Sequence, residues 1–176
     1  ELAYQQKFLD SVRKKLSNER FVANAPEAVV AVERKKEADS LSKIESITGK
    51  EIIHSIATAE PLGPKSMIDA ILIAPCTGNT LAKLAHSIAD TSVTMAVKSH
   101  LRNARPVIIA VSTNDGLATA AANIGQLLTR RHYYFVPFGQ DDPIHKPRSL
   151  VADFSQLPET LNYAMKGQQL QPILLK

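Results

Sequence analysis

Three short runs limit how this chain can fold. Asp69–Ala74, Pro106–Val111 and Tyr133–Pro137 are apolar at nearly every position instead of at alternate ones. A strand that is apolar on both sides needs cover on both sides, and helices supply it. Between and after these runs lie stretches with helical spacing of apolar residues: Asn79–Ala89, Val93–Arg102, Gly116–Thr129 and Pro158–Lys166. Strand and helix taking turns predicts right-handed crossovers and an α/β fold with a doubly wound parallel sheet. Glu51–Ile56, another short apolar run, is expected to be a strand as well.

Composition changes near residue 48. All seven glycines and nine of the ten prolines come after it, and no strand-like run comes before it. Leu2, Phe8, Leu9, Val12 and Leu16 recur at helical spacing, and Ser17-Asn18 begins a break. A second helix is expected from about Pro26 to Ile47, because proline is tolerated in a first helical turn. Its sparse apolar stripe would be Val29, Val32, the stem of Lys36, Leu41, Ile44 and Ile47. Glu33, Glu37 and Asp39 alternate with Arg34, Lys35 and Lys43, which suits an exposed helix laced with ion pairs. The short connection predicts an antiparallel helical hairpin over residues 1–47, followed by an α/β domain over 48–176.

Composition also excludes several function classes. No stretch approaches the ~18–20 apolar residues of a membrane span, and residues 1–4 do not read as a secretory signal. Cys76 is the one cysteine, so no disulfide framework exists; a single thiol fits a reducing, cytoplasmic setting. The net charge is +4, but the chain holds nine aromatics and no Trp, and its basic residues are dispersed. Arg13-Lys14-Lys15 and Arg34-Lys35-Lys36 are local basic clusters whose simplest reading is a solvated helix face. No Walker loop and no G-x-G-x-x-G occurs. Asp141, Asp142 and His145 lack a second ligand pair, so no metal site is expected.

Ligands of open α/β sheets bind beyond the carboxyl ends of the strands. Three polar loops occupy that position. The first, Pro75-Cys76-Thr77-Gly78-Asn79-Thr80, opens directly into a helix whose free N–H groups favour an anion or an electron-rich carbonyl; Thr77 reads equally as a helix cap and Gly78 as a turn. The second is Ser112-Thr113-Asn114-Asp115-Gly116. The third, Pro137–Pro143, is rich in turn residues, and its neighbour His145 is the most plausible reactive imidazole. Cys76 at a helix start is a candidate thiolate with no visible base partner. His86 and His100 read as surface or packing residues.

The residues around these loops carry a resemblance. Ile47–Ile53, Ile73–Ala85, Tyr134–Pro143 and, less closely, Lys146–Phe154 resemble the family of dipicolinate synthase B subunits, within the flavoprotein superfamily that includes flavin-dependent cysteine decarboxylases. The resemblance covers about residues 47–175. It implies a flavodoxin-like sheet and contacts to flavin mononucleotide (FMN) from Pro75, Cys76, Thr77, Gly78, Asn79 and Thr80. It further implies roles for Asp90, and for Ser112, Thr113 and Asn114 facing cofactor or substrate; it names no catalytic residue. The implied activity is that of an oxidoreductase component, which helps convert a dihydrodipicolinate-type intermediate to dipicolinate in sporulation. The implied partner is the A subunit of dipicolinate synthase.

That family opens with a first strand, a Gly/Ser-rich phosphate loop and a second strand. Here residues 1–47 stand in their place, so the expected sheet lacks the usual first strands. The run Lys14–Val30 resembles the C-terminal coiled-coil arm of a bacterial valyl-tRNA synthetase, which implies a possible tRNA contact and, with no catalytic portion, no aminoacylation. The chain reads as a chimera of the two families. Without its first neighbour, the strand at Ile71–Ala74 should expose an apolar edge, and a homo-oligomer or a partner strand would cover it. The competing expectation is a non-catalytic module whose hairpin binds RNA or protein.

Overall fold

The computed structural model describes the backbone of residues 2–175 and the side chains of residues 8, 9 and 11–175. It divides into two compact units, Glu1–Ile52 and Ile53–Lys176.

In the helical unit, α1 (Leu2–Leu16) packs on α3 (Glu27–Thr48). Arg13 pairs with Glu37 at 2.7 Å and Lys15 with Glu33 at 3.6 Å. As numbers rise along one helix they fall along the other, so the pair is antiparallel. The break at Ser17-Asn18 holds an unexpected short helix, α2 (Glu19–Asn24), started by the Asn18 side chain, which accepts from the N–H groups of Arg20 and Phe21. α3 ends at Gly49, whose φ of 64° lets its N–H reach the Glu45 carbonyl at 2.7 Å. The inward stripe of α3 differs from the expected one. Val30, Glu33, Ser40 and Ile44 are buried, whereas Val29, Val32 and Ile47 are exposed. The face that meets α1 mixes the apolar Val30 and Ile44 with Glu33, which pairs with Lys15, and Glu37 beside it pairs with Arg13. Of the stripe expected on α1, Leu9 and Val12 are buried, while the side chain of Leu2 lies outside the described residues.

In the α/β unit, β2 (Val107–Thr113) pairs in parallel with β1 (Ile71–Cys76) and with β3 (Tyr133–Phe135). The register runs Ile71↔Val107↔Tyr133, Leu72↔Ile108↔Tyr134 and Ile73↔Ile109↔Phe135. β2 is therefore central, and Val107 to Val111 are all buried. Burying one Ile or Val side chain is worth roughly 1.5–3 kcal/mol, which concentrates the driving force for folding in this strand. The helices are α5 (Gly78–Ala85), α6 (Ser92–Leu101), α7 (Thr119–Leu128) and α8 (Leu157–Ala164). α5 packs with α7, and α8 lies on β2 and β3. Among the described residues β1 pairs with β2 alone, so its far edge is open, and Leu72 is 50% exposed there.

Three features depart from expectation. Glu51–Ile56 forms no strand: Ser55 and Thr58 make a reciprocal capping box that starts a short helix, α4 (Ile56–Ala59). Ile53 and Ile56 are 39% exposed, so no sheet face gains from them. The parallel strands also continue into an antiparallel extension, β4 (Phe138–Gly139) and β5 (Leu150–Ala152), in which β5 pairs with Ser112 and Thr113 of β2. Strands of two and three residues are too short to show a period. α5 stops at Ala85, four residues before the expected end. Ser87 takes φ 60°, and the Ile88 N–H returns to the Lys83 carbonyl at 2.8 Å.

Candidate functional site

Parallel strands deliver their following loops to one edge, and here three loops meet there. β1 leads through Thr77 into α5. Thr77 is the residue before the helix, yet its hydroxyl makes no capping bond. Among the described residues Thr77 and Asn79 are exposed and hold no side-chain partner, so the first turn of α5 presents free donors and two unengaged polar side chains.

Gly78 ties this loop to the second. A Cβ at Gly78 would stand 2.9 Å from Asp115 Oδ1 and 3.0 Å from Thr113 Oγ1, so a side chain there would displace the Asp115 carboxylate or the Thr113 hydroxyl. Asp115 accepts from the hydroxyls of Thr113 and Thr119. These bonds, that of Thr113 first, hold its carboxyl below the usual carboxylate range. Asp115 thus places a fixed negative charge beside the start of α5, where the helix dipole favours it. The third segment closes over the second: Leu117 N–H donates to the Arg148 carbonyl at 2.9 Å, and Gly116 backs onto Leu150, which a Cβ would meet at 2.6 Å. In the loop between, Asp142 accepts from the His145 N–H at 3.0 Å and its ring nitrogen at 3.1 Å, and Gln140 donates to the Pro147 carbonyl.

The structure therefore brings Pro75–Thr80 together with Ser112, Thr113 and Asn114, whose side chain is exposed. Asp90 is placed elsewhere. It follows the far end of α5, about 12 Å of helix away, where Lys83 Nζ holds its carboxylate at 2.9 Å. The Cys76 side chain is fully buried in the core, and burial pushes its thiol up to about 12, so it stays protonated and unreactive. His100 is a buried packing residue bonded through Nε2 to the Pro106 carbonyl. Sequence reasoning places Asp115 in the second loop without a role and misses Thr119. The Thr-x-Asp-x-x-x-Thr spacing is visible, but nothing in it shows that Gly78 lies against both Thr113 and Asp115.

Donors without a carboxylate partner, next to one carboxylate already in place, suit the carbonyls and ring nitrogens of an uncharged heterocycle better than a phosphate. These residues fit the ring portion of a flavin. The sequence profile described as Flavoprotein matches residues 7–144.

The chain belongs to the flavoprotein family.

It is 49% identical to the B subunit of dipicolinate synthase from Bacillus subtilis (strain 168) over 139 residues, 79% of this chain and 70% of that one. The crystal structure of the dipicolinate synthase B subunit from Bacillus halodurans C superposes with a TM-score of 0.76 at 46% identity, covering 78% of this chain and 71% of that chain. The FMN-dependent cysteine decarboxylase SpaF gives a TM-score of 0.53 at 26% identity over 70% of this chain and 71% of its own. A separate likeness links 47 residues, 27% of this chain, to the valine–tRNA ligase of Christiangramia forsetii (strain DSM 17595 / CGMCC 1.15422 / KT0803), at 64% identity. This chain spans 5% of that ligase's length. Among the described residues no helix is long and apolar enough to cross a membrane.

Proposed function

We propose that this flavoprotein works as the B-type component of a dipicolinate synthase, contributing to conversion of a dihydrodipicolinate-type intermediate to dipicolinate in sporulation. The observation that carries the reading is the meeting of the Pro75–Thr80 and Ser112–Asn114 loops, with Thr77, Asn79 and Asn114 unengaged, in a chain so similar to the B subunit of that enzyme. FMN is the cofactor in this proposal, and when bound it would supply an acceptor for two electrons. Thr77, Asn79 and the first N–H groups of α5 would hold the ring. Thr113 and Asn114 would border it, and Asp115 would keep the two loops in register. Asp90, held by Lys83 beyond the far end of α5, would act at most through that helix. The A subunit of dipicolinate synthase and further copies of this chain are the proposed partners, and the open edge of β1 is where either would add.

A second reading rests on the helical unit. Lys14, Arg34 and Lys35 are exposed, so the hairpin could meet the backbone of a tRNA. Arg13, Lys15 and Lys36 already pair with Glu33 and Glu37, which halves the charge available.

Titration with FMN, followed by quenching of flavin fluorescence, tests the first reading. Saturable quenching is expected, weakened at least tenfold by Asn79→Ala. Because Asn79 is exposed and partnerless, that variant should fold as the parent does. Quenching that the variant leaves unchanged would remove Asn79 from the site, and absence of saturable quenching would end the flavin assignment.

A further inference from the structure

The end of the sheet opposite the three loops carries a cavity that the proposed reaction does not use. It measures about 440 Å³ and lies between α5, α6 and the turn that precedes β3. Its floor is apolar, including Leu84 and Val97, both buried. Its wall carries Lys83, Lys98, Arg130 and Arg131, and no carboxylate lines it.

The state of these cations is the decisive point. Lys83 is neutralised by Asp90 at 2.9 Å. Arg130 donates to the carbonyls of Leu84 and Ala85, closing the end of α5, but no carboxylate offsets its charge. Lys98 and Arg131 are exposed and have no hydrogen bond or ion pair among the described residues. Two unpartnered positive charges, Lys98 and Arg131, thus face one concave surface beside the carbonyl-bound Arg130, and the surface focuses their field on whatever enters. The volume is that of a small-molecule site, and an apolar floor under a charged wall selects a ligand built the same way.

We propose that this cavity is a binding site for a small organic anion, a carboxylate carried on a flat apolar ring. The ring would lie over Leu84 and Val97, and the carboxylate would pair with Arg131 and Lys98. Arg130, fixed by the α5 carbonyls, would contribute charge without moving. The site is independent of the flavin-binding loops, which sit at the other end of the same strands, so its test separates from theirs.

Benzoate is a suitable probe, with benzamide as its uncharged match, each titrated into the protein while backbone amide signals are followed by NMR. Benzoate should shift the amides of Lys83–Ala89, Val97–Leu101 and Arg130–Tyr133 in a saturable way, and benzamide should shift them at least tenfold more weakly. The double variant Lys98→Gln/Arg131→Gln changes two exposed side chains and should keep the parent spectrum. It should lower benzoate affinity tenfold or more while leaving FMN quenching as in the parent. Binding of benzoate that the double variant does not weaken would overturn the proposal, as would benzamide binding equally well. Inorganic phosphate competing as strongly as benzoate would also overturn it, because the cavity would then read charge alone. Shifts that depend on protein concentration without probe would overturn it too, showing instead that the face is an interface between copies of the chain.

Discussion

The helical unit and the α/β unit hold their folds by different means. Between α1 and α3 the buried set mixes Leu9, Val12, Val30 and Ile44 with Ser40 and Glu33, and the charge of Glu33 is tolerated because Lys36 reaches it at 2.7 Å. At the centre of the sheet no such mixture occurs: Val107, Ile108, Ile109, Ala110 and Val111 are buried in succession. The difference follows from geometry. A helix in a two-helix pair has one covered face with solvent on either side, so a long charged side chain can remain paired at its margin. A central strand has both faces covered and both edges hydrogen-bonded, which leaves a charge no route to water.

The contrast can be tested by substitution. Phe135 is fully buried beside β2, so Phe135→Ala should cost about 3–5 kcal/mol of stability, read from urea unfolding. Leu9, 6% exposed in the thinner helical interface, should cost about 2 kcal/mol on replacement by Ala, the low end of the range for such truncations. Equal losses at the two positions would break the comparison. A smaller effect should follow from Thr91→Ala, because the Thr91 hydroxyl accepts from the Thr94 N–H at 3.2 Å at the start of α6; about 1 kcal/mol is expected, with α5 and β2 unaffected by amide exchange.

The smallest change appears in acid alone and sharpens the contrast from the other side. The Lys36 ammonium, bonded to Glu33, and the nearby Lys15 hold its carboxyl below the ordinary value of 4.5. A depressed carboxyl stabilises the fold fully above its unfolded pKa, and that contribution disappears as pH falls through the folded value. Circular dichroism at falling pH should therefore show loss of helical signal at the acid end of the carboxylate range. Glu33→Gln should flatten that dependence. An unchanged acid profile in the variant would show that Glu33 is a bystander.

Much of the sheet was legible from residues alone. Runs apolar on both faces, as at Val107–Val111, can be satisfied in few ways, and β1, β2 and β3 form in order with their loops at one edge. The end of α3 falls at Thr48, one residue past the expected Ile47, where Gly49 takes the left-handed turn that closes it. The candidate loops followed from the same logic, because parallel strands oblige their exits to lie together.

What the sequence could not settle depends on partners distant along the chain. Glu51–Ile56 has the composition of a strand, but Ile53 and Ile56 are exposed and the Ser55–Thr58 cap prevails. Cys76 stands at a helix start where a thiolate would be favoured, yet its side chain is fully buried in the core at the end of β1, and burial raises its pKa. Asp115 gained its place when Gly78 let α5 close against it. The cations of the rear cavity, separated by up to about fifty positions in sequence, meet because α5 and α6 end beside the turn before β3. Local pattern determines which elements form. Which side chains face one another, and hence what they can bind, is decided by packing between elements that no short window of sequence contains.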